Sequence, residues 1–280
     1  MLSNHNTPFI QNLYKTMPSN RTKSKSIDAA VVVSYQPYIL FILLGIIMTI
    51  KENIQSVLNA IETFRSKYKV SHQVNLLAVS KTKPFDSIIE AYRCGQRRFG
   101  ENYAQEGCEK IERSRQEHLD DLEWFFIGPI QSNKTKMIAE HFDWVLSCDR
   151  PKIITRLNEQ RPYHMGKLKV CIQVNISHEE QKSGVYSDEE IRELAEFISK
   201  QPNLEFRGLM AIALNTDNLA TLKEEFVRMN DLFQKLKGIY PAVDTLSIGM
   251  TSDMETAIEC GSNLVRIGTA IFGARDYSKH

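Results

Sequence analysis

The sequence predicts an α/β fold, a single-domain TIM (β/α)8 barrel, preceded by an N-terminal extension that does not match it. After residue 50, short apolar runs bounded by turn residues alternate without a break with stretches of helical periodicity. Eight such repeats in about 225 residues match the usual size of this barrel and leave no residues for a second domain. An open doubly wound sheet is the alternative, but eight strands of this regularity favour closure.

The predicted elements follow one another in strict order. A leading helix repeats apolar residues at helical spacing from Ile54 to Phe64. The predicted strands cover residues 74–80, 97–100, 122–127, 143–147, 168–175, 204–213, 244–249 and 263–267. The predicted helices cover residues 84–94, 102–116, 132–141, 150–160, 187–200, 218–237 and 252–260, with a last turn at 269–274. Pro84 suits a first helical turn, and Gly95 and Gly261 suit helix ends.

The first 47 residues share no pattern with the rest, and we expect the barrel domain to span residues 48–280. Residues 38–50 are nearly all apolar, yet as a helix they would rise only about 20 Å, against a hydrocarbon core of about 30 Å. Three interpretations remain: a membrane anchor over residues 29–50, a cleaved signal, or upstream sequence before a natural start at Met48. We favour the start at Met48, because it directly precedes a clean amphipathic helix.

Composition excludes several classes of function. The net charge is +1, which gives no reason to expect a nucleic-acid partner. The five cysteines form no CxxC pair, so we expect free thiols in a reducing cytoplasm rather than a disulfide framework. The seven histidines include no HxxxH or HExxH pair, and no metal site is expected.

Lys81 lies at the end of the first predicted strand. In TIM barrels, the chemistry is placed at the C-terminal ends of the strands. Desolvation at such a place favours the neutral amine, the form that attacks an aldehyde and makes a Schiff base. The alternative is a solvated lysine at a strand end.

The loops after strands 7 and 8 often bind phosphate in this fold. Here they carry small hydroxyl residues and glycines, whose hydroxyls and backbone N–H groups suit an anion, and each precedes a predicted helix. The residues are Ser247, Gly249, Thr251, Ser252, Gly268 and Thr269. Either loop alone would be an ordinary helix cap, but both together at these two strands favour a phosphate site.

Arg266 lies inside the apolar eighth strand, where a guanidinium needs a partner. That partner is either an acidic neighbour or the ring of a phosphate-bearing ligand. An imine-forming lysine, a phosphate site and an arginine at ring distance together suit pyridoxal 5′-phosphate (PLP). A permanent cation at the pyridine nitrogen disfavours ring protonation and makes the cofactor a weaker electron sink.

Six segments closely resemble the pyridoxal phosphate homeostasis protein family, over roughly residues 50–280. They are residues 77–84 (LAVSKTKP), 99–103 (FGENY), 126–134 (FIGPIQSNK), 208–212 (GLMAI), 247–250 (SIGM) and 265–273 (VRIGTAIFG). The resemblance implies a single barrel like the N-terminal domain of alanine racemase. It also implies a role for each site residue: Lys81 carries the Schiff base, Arg266 faces the pyridine nitrogen, Ser247, Gly268 and Thr269 hold the phosphate, and Asn102 and Met210 lie near the ring.

The function implied is PLP binding and intracellular PLP homeostasis without substrate turnover. The alternative is a PLP-dependent amino-acid racemase or lyase, which needs a proton donor on each face of the substrate. In two-domain racemases one donor comes from an added domain, by resemblance; here Tyr103 and Tyr277 are the substitutes, and residues 131–134 are a candidate carboxylate site. A Schiff-base aldolase explains Lys81 but not Arg266. PLP-dependent apo-enzymes are candidate recipients, a monomer is expected, and the expected location is the cytoplasm.

Overall fold

The computed structural model describes residues 49–177, 179, 181–213, 216 and 218–274. In these residues, parallel strands alternate with helices in the predicted order, which confirms the fold class. The strands are β1 (Asn75–Val79), β2 (Arg98–Glu101), β3 (Glu123–Phe126), β4 (Trp144–Cys148), β5 (Leu168–Val174), β6 (Leu204–Ala211), β7 (Thr245–Ser247) and β8 (Leu264–Ile267). The helices are α1 (Ile50–Lys67), α2 (Phe85–Arg93), α3 (Ala104–Gln116), α4 (Thr135–His141), α5 (Pro151–Gln160), α6 (Asp188–Ser199), α7 (Leu219–Ile239), α8 (Met254–Glu259) and α9 (Thr269–Phe272).

The sheet curls into a nearly closed barrel. Strands neighbouring in sequence pair with one another from β1 to β7, and β8 pairs with β1 rather than with β7. Between β7 and β8, two backbone hydrogen bonds replace a ladder: Asn263 N–H to the Leu246 carbonyl at 3.1 Å and Arg266 N–H to the Gly249 carbonyl at 3.0 Å. The predicted closure of the sheet is therefore present, with its thinnest hydrogen bonding at the β7–β8 seam.

Apolar side chains fill the barrel interior. The buried cluster consists of Leu77, Phe125, Trp144, Leu146, Cys171, Met210 and Leu264. The rings of Phe125 and Trp144 stack at 5.0 Å. Below them, Lys169 and Arg207 lie over the Trp144 ring at 5.0 and 4.8 Å. Lys169 pairs with Glu123 at 3.2 Å and Arg207 pairs with Asp244, and these four residues line a cavity of about 260 Å³ at the N-terminal end of the barrel.

Helix α1, the first described helix, packs against α8 and α9 near the end of the chain. Thr49 caps it in a capping box with Glu52, and Ile54, Val57 and Ile61 are buried. Within the described ranges, no helix is both long and apolar enough to cross a membrane. The candidate anchor at residues 29–50 lies outside the described residues except for its last two positions.

A few element boundaries differ from those predicted. β7 covers Thr245–Ser247 only, because the chain turns at Gly249, where φ is +97°. The predicted helix at 132–141 divides into a 3₁₀ turn, Ser132–Lys134, followed by α4. A further 3₁₀ turn at Tyr163–Met165 was not predicted, and α7 runs to Ile239.

Candidate functional site

The strand registers bring the residues predicted for the site to one side of the barrel mouth. Met210 on β6 pairs with Ser247 on β7, and Leu77 on β1 pairs with Arg266 on β8. On the other side of β1, Val79 pairs with Gly100, two residues before Asn102. The site residues therefore follow the consecutive strands β6, β7, β8, β1 and β2 around the mouth.

Lys81 follows β1 in a tight turn and is half-buried. Thr82, the next residue, has a φ of +61°, which is uncommon for a β-branched side chain. The N–H of Ser80 donates to the Gly100 carbonyl at 3.0 Å, and the N–H of Lys83 donates to the Ser80 carbonyl at 3.1 Å. These bonds fix the backbone on both sides of the lysine.

Arg266 is buried, with 5% of its surface exposed. Its Nη1 donates to the Ser247 carbonyl at 2.7 Å and to the Ser247 hydroxyl at 2.8 Å, and its Nη2 donates to the Ala211 carbonyl at 2.7 Å. Burial lowers the pKa of Arg266 to about 10, while the negative charge of Asp253 acts in the opposite direction. The guanidinium is thus held by strand ends rather than by a carboxylate, and it keeps its charge near neutral pH.

The Ser247 hydroxyl connects β7 with β8. It donates to the Leu264 carbonyl at 3.1 Å and accepts from Arg266 at 2.8 Å. Ser247 is fully buried. Its side chain therefore orients Arg266. The sequence predicted only a contact between Ser247 and phosphate and did not indicate this role.

Gly249 and Gly268 shape the cradle predicted for an anion. A side chain at Gly268 would place its Cβ 3.2 Å from the Val79 carbonyl oxygen, and at Gly249, where φ is +97°, the Cβ would lie 2.6 Å from Ala257. In the loop after β7, the Asp253 carboxylate accepts a hydrogen bond from the Met250 N–H at 2.5 Å. Thr269 is exposed at the start of α9. Glycine thus lets both loops pack closely against Val79 and Ala257, and backbone N–H groups in such glycine-containing loops suit a phosphate group.

A cleft of about 190 Å³ continues the mouth toward β3 and β5. Asn102 lines it, and the Oδ1 atom of Asn102 is buried without a hydrogen-bond partner. A Cβ at Gly128 would lie 2.1 Å from the Asn102 carbonyl oxygen, so this close approach depends on glycine. The other lining residues are Ile127, Pro129, Gln173, Val174, Asn175, Lys182, Ser183 and Ile212. Of the residues predicted for the site, Asn102 lines this cleft, and its unpartnered amide oxygen is free to accept a hydrogen bond from a ligand.

The remaining predicted candidates lie elsewhere. Residues 131–134 form the turn before α4 and do not line this cleft. Tyr103 is 53% exposed, and Tyr277 lies outside the described residues. Across the described part of the chain, no cluster of side chains is arranged to hold a metal ion.

Sequence reasoning missed a buried polar cluster directly behind Lys81. It consists of Glu101 at the end of β2 with Glu106 and Lys110 on α3. Burial raises the pKa of the Glu101 carboxyl, and the charge and hydrogen bond of Lys110 act against that shift. The available signal was the placement of Lys110 three residues after Gly107 and four before Ser114, on the buried face of α3.

The chain is similar to known proteins over most of its length. The family model described as "Alanine racemase, N-terminal domain" matches residues 53–276. The chain is 54% identical over 235 residues to a "Pyridoxal phosphate homeostasis protein" of Pasteurella multocida, in an alignment that covers 83% of this chain and 100% of that protein. It is 53% identical over 207 residues to the protein of the same name in Escherichia coli K12, covering 74% of this chain and 88% of that one.

The chain belongs to the pyridoxal phosphate homeostasis protein family.

Solved structures agree with this membership. PipY of Synechococcus elongatus is 32% identical with a TM-score of 0.71 without PLP, and covers 80% of this chain and 100% of its own. The same protein with PLP bound gives a TM-score of 0.68 over the same coverage. Alanine racemase of Clostridium difficile, 14% identical with a TM-score of 0.59, covers 80% of this chain and 57% of its own. That identity shows a shared barrel fold and nothing about activity.

Proposed function

We propose that the barrel at residues 48–280 binds PLP at its C-terminal mouth and serves PLP homeostasis. The observation that carries this proposal is the order of groups around the mouth: the Lys81 turn lies between Asn102 and the Gly268–Thr269 loop, beside Arg266. Relatives that are 53–54% identical are named for PLP homeostasis, and PipY has been solved with PLP bound.

Each residue suits one part of the cofactor. Lys81 would supply the amine for a Schiff base with the aldehyde carbon, with release of one water. Gly268 and Thr269 would present backbone and hydroxyl groups to the phosphate, and Ser247, at the end of β7, would complete the phosphate site while it holds Arg266. Arg266 would face the ring nitrogen, and Asn102 and Met210 would lie near the ring. Bound PLP supplies a reactive aldehyde and an electron-withdrawing ring, and the protein supplies its placement.

Binding without substrate turnover is part of this proposal. Arg266 retains its charge, and a cation at the pyridine nitrogen keeps that nitrogen unprotonated, which weakens the ring as an electron sink. Enzymes such as D-threonine aldolase, at 16% identity, share the barrel fold with this chain, and at that identity the likeness supports no activity. We further propose a monomer in the cytoplasm that exchanges PLP with PLP-dependent apo-enzymes.

Borohydride reduction of the PLP-loaded protein, followed by peptide mapping, tests the covalent site. We expect a single stable adduct on Lys81, absent from Lys81→Ala and present in the control variant Lys83→Ala, whose lysine lies in the same turn and binds the Ala274 carbonyl at 2.7 Å. An adduct on Lys83 or Lys134 in place of Lys81 would refute the assignment.

A further inference from the structure

The polar cluster behind Lys81 is largely buried and is hydrogen-bonded to the turn that carries this residue, while the Oε2 atom of Glu101 has no hydrogen-bond partner. Lys110 Nζ lies 2.8 Å from Glu101 Oε1 and 2.6 Å from Glu106 Oε1. Lys110 is 7% exposed and Glu101 is fully buried, whereas the Glu106 side chain, at the edge of the cluster, is 27% exposed. We name Glu101, Glu106 and Lys110 the α3 clamp. Charges this deep are costly to bury, so a stabilising role alone explains them poorly.

The α3 clamp holds the two peptide groups that flank Lys81. On one side, Lys110 Nζ donates to the Ser80 carbonyl at 2.8 Å. On the other side, the Thr82 N–H donates to Glu106 Oε1 at 2.6 Å. The Ser80 hydroxyl also donates to Glu101 Oε1 at 2.6 Å. The backbone before and after the lysine is therefore fixed by one connected group of side chains.

The backbone at Thr82 needs such support. Its φ of +61° lies in the left-handed region, which costs an L-residue with a Cβ about 1–2 kcal/mol. The Glu106 carboxylate receives the N–H of this residue and favours the strained turn. The turn at Lys81 and Thr82 takes the backbone out of the extended course of β1.

A close helix–strand approach brings the clamp within reach. A Cβ at Gly107 would lie 2.4 Å from the Phe142 ring and 3.2 Å from Glu101 Cβ, so glycine allows α3 to pack closely against both Phe142 and the end of β2. Gly107 lies one turn of α3 before Lys110, and that contact places the ammonium group against the Ser80 carbonyl.

We propose that Lys110, Glu106 and Glu101 are positioning residues that aim the Lys81 amine at the cofactor aldehyde. The inference rests on the proposed function, since it assumes that Lys81 bonds to PLP. The clamp acts on one step only, in which the amine adds to the aldehyde carbon and water leaves. Recognition of the phosphate by the β7 and β8 loops does not depend on it.

Two ligands separate these contributions: PLP, and 4-deoxypyridoxine 5′-phosphate, which has the phosphate and ring but no aldehyde. We expect Lys110→Met to weaken PLP binding by about tenfold or more, the loss of one hydrogen bond to a charged group, and to leave the affinity for the deoxy compound unchanged. The matched control is Lys136→Met, an exposed lysine with the same i,i+4 pairing to a glutamate. It should change neither affinity.

A second pair of variants separates positioning from packing. Glu106→Gln keeps an oxygen for the Thr82 N–H, and we expect it to retain more PLP binding and imine absorbance than Glu106→Ala. Equal loss of both ligands in Lys110→Met, or PLP affinity unchanged in both Lys110→Met and Glu106→Ala, would overturn the proposal. If Lys110→Met does not fold by circular dichroism, the Glu106 pair decides alone. Failure of the proposed function looks different: the unmodified protein would then bind both ligands equally and give no borohydride-stable adduct.

Discussion

In the proposed site, Arg266 is the residue that would control protonation of the cofactor ring. The guanidinium is buried at the end of β8 and is held by Ser247 and the Ala211 carbonyl. Its pKa, lowered by burial to about 10, still leaves it cationic at neutral pH. A fixed cation beside a pyridine nitrogen opposes protonation of that nitrogen, and an unprotonated ring stabilises a carbanion poorly.

From Arg266 we expect no appreciable turnover of common L-amino acids. Exchange of the α-hydrogen with deuterated solvent, followed by NMR over hours on PLP-loaded protein, measures this directly. Exchange slower than about one per minute agrees with a holding role, because enzymes typically turn over at about 1–1000 per second. Exchange in that enzymatic range would favour the racemase or lyase alternative.

Thr269 offers a separate test of the phosphate site. Thr269→Val keeps the shape of the side chain and removes its hydroxyl, so PLP binding should weaken by about 1–3 kcal/mol. Binding of unphosphorylated pyridoxal should not change. Titration of both ligands into the cofactor-free protein measures the effect, with Thr63→Val on the exposed face of α1 as the control. A matching loss for pyridoxal would show that Thr269 does not contact phosphate.

The site residues differ in how far the sequence can reveal them. Lys81, Arg266 and Gly268 stand out because each follows or interrupts an apolar strand, and strand ends meet at the mouth of a barrel. The link from Ser247 to Arg266 depends on the offset between β7 and β8, which no local pattern encodes. The position of Lys110 in the α3 clamp depends on the close packing of α3 at Gly107 against Glu101 and Phe142, which are distant from Lys81 in the sequence.

At the scale of elements, β6 approaches β7 so closely that only glycine fits. Gly208 has a φ of +144°, and a Cβ there would lie 1.9 Å from the Thr245 carbonyl oxygen. The register between β5 and β6 also shifts at this point, between Val170 and Cys171. This irregularity sets the level at which Met210 faces Ser247.

Gly208→Ala should therefore lower the free energy of unfolding by about 1–3 kcal/mol or more, since it combines backbone strain with a steric clash. The matched control is Gly238→Ala in α7, where an added Cβ meets nothing within 4 Å. That change should raise stability by about 0.5–1 kcal/mol. Urea unfolding followed by circular dichroism compares the two, and equal stabilities would contradict the role given to the close approach.

The elements themselves were largely predictable because hydrophobic periodicity alternates so regularly along the chain. Long strands such as β5 and β6 lie within the predicted ranges. β7 was predicted to be longer, since Leu246 and Ile248 alternate with polar residues over 244–249 and the turn at Gly249 leaves no mark in that periodicity. Its short ladder reflects tertiary packing rather than local preference.

For the whole molecule, we predict that deleting residues 1–47 leaves a folded protein that binds PLP. The retained part carries its own helix start, the capping box of Thr49 and Glu52. Asn53 in α1 also donates to the Ile271 carbonyl in α9 at 2.9 Å, so α1 is integrated with the end of the barrel. Circular dichroism and PLP titration of the truncated chain test both properties.

Cell fractionation tests whether the N-terminal extension anchors the protein to a membrane. The full-length and the shortened chain are each made with a C-terminal tag. Both products are expected in the same soluble fraction. Recovery of the full-length chain only in carbonate-resistant membranes would establish residues 29–50 as an anchor and contradict the preferred start at Met48.

The pairing of β1 with β8 has a consequence for how the barrel is made. During synthesis β1 emerges first and keeps an open edge until its partner, Leu264–Ile267, has left the ribosome. Closing the ring thus joins the most distant strands in sequence, the slowest kind of contact to form. Gly268 and Thr269, which we propose hold the phosphate of PLP, enter the barrel beside β1 with that same strand. We therefore expect completed barrels to capture PLP in preference to nascent chains that lack β8.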